Sequence, residues 1–163
     1  MVQHLNVLVL CTGNSARSIM AEALFNRLGG GRIRAYSAGS HPKGAVDLRT
    51  LRELRRRGLA VDGLTSKSWD TFATPDAPRM DLVVTVCGRA AAEACPVWPG
   101  APIRVHWGFA DPAAIAGNER TKQDAFARTF EAIEARIGSF CRLRFELMDR
   151  AALRRAAEAL CAT

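Results

Sequence analysis

Cys11-Thr12-Gly13-Asn14-Ser15-Ala16-Arg17-Ser18 sets a thiol and a guanidinium at the two ends of one short loop, with five residues between them. The apolar run Asn6-Val7-Leu8-Val9-Leu10 leads in and the helix-like run Ile19-Met20-Ala21-Glu22-Ala23-Leu24-Phe25 leads out. A strand, a tight loop and a helix in that order aim the loop's backbone N–H groups at one point, at the positive end of the helix dipole. Thr12, Gly13, Asn14, Ser15, Ala16 and Arg17 are therefore the expected oxyanion cradle. Arg17 offers a planar fork for two oxygens. A helix N-terminus and a nearby arginine also lower a thiol's pKa from about 8.5, so Cys11 is expected to act as a thiolate nucleophile. Ser18 stands where its hydroxyl can donate to the sulfur, and Asn14 suits a left-handed backbone position in the loop. A lone cysteine at a strand end is usually a small buried hydrophobe. Here the strand, glycine, arginine and helix all stand in register with it.

Two further stretches carry chemistry. In Trp107-Gly108-Phe109-Ala110-Asp111-Pro112, an aspartate lies just past an apolar segment and is fixed by a proline. It suits a general acid that protonates a departing oxygen, provided partial desolvation raises its pKa above about 3.9. An Asx-Pro turn without chemistry would use the same residues. The other stretch, Cys87 to Cys95, holds two cysteines about an alanine-rich, helix-prone segment. As a helix it would separate their α-carbons by roughly 12 Å, beyond the ~7 Å that a disulfide tolerates. The pair is either a redox switch that works by unwinding or two unrelated buried cysteines. Cys141 and Cys161 fall on helical patterns and read as packing residues.

The elements that must position these groups alternate. Segments 5–10, 33–37, 81–86 and 103–107 have the apolar, β-branched character of buried parallel strands. Helical patterns are expected at 17–28, 45–57, a short 66–73 and a long 120–141, with a further amphipathic helix at 146–160 that docks through Leu147, Leu153, Ala157 and Leu160. Such alternation predicts an α/β layer fold, with ligands bound beyond the carboxyl ends of its strands. Cys11, Cys87 and the 106–112 stretch share that edge. Neither a repeat nor an internal boundary divides residues 1–163, which are expected to form one domain.

The apolar share of 48% is that of a globular protein. No run approaches the ~20 residues of a membrane span. Met1-Val2-Gln3-His4 leads straight into the first strand without a signal sequence, so a cytoplasmic location is expected. Net charge is +7, concentrated in Arg49, Arg52, Arg55, Arg56 and Arg57 and in Arg150, Arg154 and Arg155. These interleave with leucines at helical spacing and lack aromatic neighbours, so they read as solvated helix faces, not as a nucleic-acid site. Five cysteines without a leader or zinc-like spacing indicate catalysis or redox chemistry.

Val9-Leu10-Cys11-Thr12-Gly13-Asn14-Ser15, Arg17-Ser18 and Met20-Ala21-Glu22 together resemble the low-molecular-weight tyrosine phosphatase superfamily. Tyr36-Ser37-Ala38-Gly39, Val84-Thr85-Val86-Cys87, Cys95-Pro96 and His106-Trp107-Gly108-Phe109 with Asp111-Pro112 narrow the resemblance to the arsenate reductases built on that fold. It covers about residues 5–141, leaving 146–160 as an additional helix. The phosphatases lack the second and third cysteines and usually carry aromatic residues where this chain has Ala113-Ala114. The resemblance implies a three-layer sandwich about a four-stranded parallel sheet. It also implies a relay in which Cys11 attacks arsenate, Asp111 protonates the departing oxygen, Cys87 releases arsenite by forming a Cys11–Cys87 disulfide, and Cys95 resolves it. Phosphate or sulfate would compete as anions, and thioredoxin would restore the dithiol. Seven residues lie between Cys87 and Cys95, one more than expected for the thioredoxin-linked subgroup, so glutaredoxin or a low-molecular-weight thiol is an alternative donor. No metal or organic cofactor is implied. Relatives of that subgroup can bind potassium beside the loop. Asn14, Glu22 and Ser37 match its ligands, but Lys67 stands near the acidic fourth, and its ammonium is expected to stabilise the loop in the cation's place. A monomer is expected. The alternative readings are a phosphatase for phosphotyrosine or small phosphoesters, using Cys11, Arg17 and Asp111 alone, and a protein that binds oxyanion without turnover.

Overall fold

The computed structural model describes residues 4–93 and 95–162. Met1 to Gln3 and Ala94, which entered the reading of the N-terminus and of the 87–95 segment, lie outside that range. Four parallel strands, β1 (Leu5–Cys11), β2 (Ile33–Gly39), β3 (Leu82–Thr85) and β4 (Ile103–His106), form one sheet in the order β2-β1-β3-β4. The chain moves outward from β1 to β2, then returns to the other side of β1 for β3. The sheet therefore has its topological switch point between β1 and β3, where ligands of such sheets bind.

Among the described residues five α-helices accompany the strands: α1 (Arg17–Leu28), α2 (Leu48–Arg56), α3 (Gly88–Ala92), α4 (Glu119–Cys141) and α5 (Arg150–Ala159). Odd positions of β1, Val7, Val9 and Cys11, face a core built with Ile19, Met20 and Phe25 of α1, Phe126, Phe130 and Ile137 of α4, and Leu153 and Ala157 of α5. Leu8 and Leu10 face a smaller cluster with Phe72, Met80, Val83 and Trp98. The period of two expected of a strand thus divides β1 between two cores. The second layer is thin, made of a 3-10 turn, Trp69–Phe72, and the loops carrying Met80 and Trp98. That turn replaces the short helix expected at 66–73.

Other boundaries moved for local reasons. Asp47 caps α2 by accepting from the Arg49 N–H, so the helix begins at Leu48, three residues later than expected. The terminal helix begins at Arg150 behind its cap Asp149, which accepts from the Ala152 N–H at 2.8 Å. Leu147 is left in a preceding 3-10 turn and is exposed, contrary to its expected docking role. What α5 does bury is Leu153 and Ala157, and the Ala157 carbonyl accepts from Trp107 Nε1 at 3.0 Å. Trp107 in turn lies within an aromatic group with Phe25 and Phe140.

The arginine-rich face of α2 is a solvated, ion-paired one. Glu53 is buried and held by Arg56 and Arg57, both at 2.6 Å, and Arg49 pairs with Glu119. Burial alone would raise the Glu53 carboxyl, but the two guanidiniums outweigh it and hold its pKa below the usual range.

Gly39 ends β2 opposite Cys11, and its N–H donates to the Lys67 carbonyl at 2.9 Å. A β-carbon there would run into the carbonyl oxygens of Thr12 and Cys11, the latter at 2.8 Å. Both are backbone atoms of the cysteine loop and cannot swing aside. Gly39→Ala is expected to cost about 1–3 kcal/mol, seen as a lower midpoint in thermal unfolding. An unchanged midpoint would mean that the loop yields freely.

Candidate active site

The loop after β1 is held open from outside. The Thr12 carbonyl accepts from the His41 N–H and the Gly13 carbonyl from the Lys43 N–H, both at 2.9 Å. The Ser15 carbonyl accepts from the Asp47 N–H at 3.0 Å and the Thr50 hydroxyl at 3.1 Å. A trans peptide points its C=O and N–H in opposite directions. With these carbonyls tied outward, the N–H groups of Gly13, Asn14 and Ala16 point into the loop. Helix α1 then starts at Arg17 with no side-chain cap, which leaves its first N–H groups and its dipole available to an anion.

Asn14 is the loop's internal strut. It is fully buried with φ at 45°, the left-handed position foreseen for it. Its Nδ2 donates to Ser18 Oγ at 2.8 Å and Ser37 Oγ at 3.0 Å, and its Oδ1 accepts from the Lys67 N–H at 2.9 Å. Ser37 passes the network on by donating to Glu22 Oε1 at 2.5 Å. The Lys67 ammonium lies 3.8 Å from the same oxygen and donates to the Thr65 carbonyl at 2.8 Å. Burial pushes the Glu22 carboxyl up and the Lys67 ammonium down, and each charge partly offsets the other's cost. Ser18 thus supports Asn14; the hydrogen bond expected from its hydroxyl to the Cys11 sulfur is not found among the described residues.

Parallel pairing carries Cys87 to Cys11. β1 and β3 align Leu10 with Thr85, the Val86 N–H donates to the Leu10 carbonyl at 2.9 Å, and Cys87 follows at the switch point. Its sulfur accepts from the Thr12 N–H at 3.4 Å and the Ala90 N–H at 3.3 Å, lies 3.5 Å from Thr12 Oγ1, and is hydrogen-bonded to Cys11. Both cysteines are buried. The hydrogen bond from Cys11, with further help from Thr12 and Ala90, brings the Cys87 thiol down to about 4 despite burial. The same bond, together with burial, pushes Cys11 well above the ordinary thiol value, against the opposing pull of Arg17 and the Gly13 N–H. The expectation of a depressed Cys11 pKa is therefore corrected. It took account of the dipole and Arg17 and had no means of including a second sulfur in contact. The two thiols titrate as a coupled pair, and their hydrogen bond raises one partner as it lowers the other.

From β4 the chain turns back over the site. The Phe109 N–H donates to the Val86 carbonyl at 3.1 Å, and Arg17 Nη1 donates to the Phe109 carbonyl at 2.9 Å. Arg17 Nη2 lies 3.8 Å from Asp111 Oδ2, while Asp111 Oδ1 accepts from the Ala113 N–H. Asp111 is thus at once the cap of a proline turn and a wall of the cleft. Its side chain is 45% exposed, so the carboxyl is partly withdrawn from solvent at the cleft wall.

Cys95 stands apart. Helix α3 ends at Ala92, short of the helix expected to run to Cys95, and Glu93 is already extended. Cys95 packs with the smaller core on the other face of the sheet, where Arg104 Nη1 donates to its sulfur and Trp98 lies near. The segment therefore crosses the sheet's carboxyl edge. The structure brings together Cys11, the loop, Arg17, Cys87 and Asp111, and leaves Cys95 across that edge.

The cleft formed this way has a volume of about 540 Å³ and is also lined by His41, Lys43 and Arg89. Sequence reasoning missed these three. The signal was available, because Ser40-His41-Pro42-Lys43 follows β2 at the same carboxyl edge. Among the described residues no cluster of His, Cys, Asp and Glu could hold a metal ion, and no helix is long and apolar enough to cross a membrane.

Residues 6–156 match the profile of the low molecular weight phosphotyrosine protein phosphatase family. The chain belongs to that family. Within reach of it are proteins named for a different reaction. An arsenate reductase of Halalkalibacterium halodurans is 40% identical over 131 residues, 80% of this chain and 91% of that one. The crystal structure of arsenate reductase from Archaeoglobus fulgidus superposes with a TM-score of 0.59 at 33% identity, over 81% of this chain and 98% of that one. A thioredoxin-dependent arsenate reductase of Corynebacterium glutamicum superposes with the same score at 26% identity, covering 82% of this chain and 58% of that one. This phosphatase-family chain thus shares fold and sequence with arsenate reductases over most of its length.

That coupling of the two thiols has a measurable consequence. Titration followed by thiolate ultraviolet absorbance is expected to show the Cys11–Cys87 pair losing its first proton far below the ordinary cysteine range and its second well above it. Cys87→Ala is expected to bring the Cys11 ionisation down from that upper step, since burial, Arg17 and the Gly13 N–H then act alone. A Cys11 value unmoved by the substitution would mean that the two sulfurs are not coupled.

Proposed function

We propose that this protein reduces arsenate to arsenite by passing two electrons through Cys11, Cys87 and Cys95. The observation that carries the proposal is the second sulfur, Cys87, seated against both the loop nucleophile and the Thr12 N–H. A hydrolytic phosphatase has no use for a thiol there; a reductase needs it. The naming of the relatives points the same way.

In the proposed sequence the loop N–H groups and Arg17 hold arsenate, and transfer of the Cys11 proton to Cys87 makes Cys11 the thiolate. Cys11 attacks arsenic, one arsenic–oxygen bond breaks, and the oxygen leaves as water with a proton from Asp111. Cys87 then loses its proton to an arsenic-bound oxygen and attacks the Cys11 sulfur. The sulfur–arsenic bond breaks with its electron pair going to arsenic, which departs as arsenite. Cys95 attacks Cys87, frees Cys11 as a thiolate, and leaves a Cys87–Cys95 disulfide for an external dithiol to reduce. Thioredoxin is the favoured donor by analogy with the Corynebacterium protein. Reduced thiols of this kind suit a cytoplasmic setting. Phosphate and sulfate are expected to compete in the cradle.

NADPH oxidation with thioredoxin, its reductase and arsenate tests the sequence. Wild type is expected to turn over, Cys87→Ser and Cys95→Ser to stall, and Asp111→Asn to slow by about 10²–10⁴-fold. Undiminished turnover by Cys87→Ser would refute the relay. Rapid aryl phosphate hydrolysis without arsenate reduction would establish the phosphatase reading instead.

The residues beside the loop do not suit a bound potassium ion. The Asn14 oxygen is taken by the Lys67 N–H, and the Lys67 ammonium stands 3.8 Å from the Glu22 carboxyl. We assign Lys67 the cation's part, neutralising Glu22 and thereby steadying Ser37 and Asn14. Wild-type turnover is expected to be indifferent to replacing sodium by potassium, whereas Lys67→Gln is expected to gain a potassium dependence. A several-fold stimulation of wild type by potassium would overturn this assignment.

A further inference from the structure

Helix α3 and the residues after it are fastened to the oxyanion loop by a residue that the reaction scheme leaves idle. Glu93 follows α3 in extended conformation, with φ −77° and ψ 146°. Its Oε1 accepts from Ser40 Oγ at 2.7 Å and Thr12 Oγ1 at 3.3 Å, and its Oε2 lies 3.4 Å from His41 Nδ1. Thr12 belongs to the loop itself, and the 40–41 segment is tied to it through the His41 N–H bond to the Thr12 carbonyl. The Glu93 side chain is 21% exposed, unlike its neighbours Ala91 and Ala92, which are exposed. An acidic side chain therefore turns inward beside Thr12 and His41, at the edge of a cleft whose lining includes Arg17, Lys43 and Arg89. A charge of that sign does not help an anion bind. What its bonds do is pin the segment between Cys87 and Cys95.

We propose that Glu93 is a positioning residue, a latch that keeps Cys87 on the Thr12 N–H and Cys95 across the sheet edge until the first disulfide has formed. The proposal rests on the relay reading for its purpose and on contacts alone for its mechanism. Cys87 is anchored before α3 by its place after β3, and Glu93 supplies the anchor after α3. Between them lie only five helical residues, of which Ala90 alone is buried. Without the second anchor the segment has little to keep it wound, because so short a helix is marginal by itself. Cys95 would then leave Arg104 and meet Cys87 early. A Cys87 drawn off the Thr12 N–H towards Cys95 is out of place to attack the sulfur of the Cys11–arsenic adduct, so the latch enforces the order of sulfur encounters.

The test compares wild type, Glu93→Ala and Glu93→Gln in two measurements. In the reduced protein, alkylation of Cys95 by iodoacetamide, resolved by peptide mass spectrometry, is expected to quicken about tenfold or more in Glu93→Ala, the loss of charge-assisted hydrogen bonds. Exposed Cys161 serves as the internal control and is expected not to change. Glu93→Gln keeps an oxygen for Ser40 and Thr12 and is expected to return most of the protection. In a single turnover with arsenate, quenched and mapped for disulfides, Glu93→Ala is expected to form the Cys11–Cys87 bond more slowly and pass it to Cys95 faster. Cys95 alkylation equal to wild type in Glu93→Ala would overturn the latch whatever the turnover experiment gives. If wild type forms no Cys87–Cys95 disulfide while the alkylation contrast holds, the relay falls and the latch stands as a property of the segment.

Discussion

A parallel register decides what chemistry is open to this loop. Because β1 and β3 are neighbours and Leu10 lies beside Thr85, the residues that follow each strand emerge together, and the sulfur of Cys87 meets the first N–H of the loop that Cys11 begins. A switch point offers a crevice to any ligand; here part of the crevice wall is a second thiol. From that contact follows the division of charge between the two cysteines. Neither can be assigned an ionisation without the other, as with paired carboxylates that hold one proton between them. Loss of the pair's first proton leaves one thiolate, and its location depends on which sulfur is better supplied with donors. Thr12 and Ala90 favour Cys87, while Arg17 and Gly13 favour Cys11.

The loop's shape is enforced from behind, and the means are mostly uncharged. Its carbonyls are bound by the segments at 41–50, and its interior by Asn14, Ser18 and Ser37, all fully buried. A left-handed residue inside a loop is strained unless its surroundings determine it. Asn14 makes three side-chain hydrogen bonds to three different parts of the chain, which is such a determination. The charged pair in this backing, Glu22 with Lys67, is one where burial works against both partners. Its worth lies in holding Ser37 and the Lys67 backbone where Asn14 needs them, since a buried ion pair is weak evidence for stability. Gly39 completes the arrangement by having no side chain where the loop's carbonyls pass.

Much of this was legible from residue order. Apolar runs of strand length ending at Cys11, Cys87 and just before Asp111 placed those residues on one sheet edge, and the left-handed role of Asn14 followed from its type. What escaped were properties of contact. The Cys11 ionisation depends on a sulfur 76 positions away in sequence, and no local rule for a thiol at a helix N-terminus contains it. Ser18 was aimed at the sulfur by proximity in the chain, but a buried amide at Asn14 competes for it. Leu147 fits the periodicity of the last helix, yet the cap at Asp149 starts that helix at Arg150, three residues beyond it. The alanine-rich stretch has the propensity for a helix reaching Cys95, and it ends at Ala92, where Glu93 takes partners at Thr12 of the loop and at Ser40 and His41. Propensity is a weak prior, and three side-chain contacts outweigh it.

The position of Cys95 sets the physical problem that any relay through it must solve. Cys11 and Cys87 belong to the face of the sheet covered by α1 and α4, and Cys95 to the face covered by Trp98. A disulfide requires α-carbons within about 7 Å, so a Cys87–Cys95 bond means bringing a residue around a sheet edge. A long, well-packed helix between them would make that movement prohibitive. Here the helix is five residues and buries one alanine, so unwinding it gives up little apolar area, and the greater part of the resistance resides in polar contacts at its far end. Polar contacts of that kind exchange for water, each at a net cost of about 1.5–3 kcal/mol. The segment is thus built to be stable enough to keep its sulfurs apart and cheap enough to open, and the balance lies in the side chains of Glu93 and Arg104 more than in the helix.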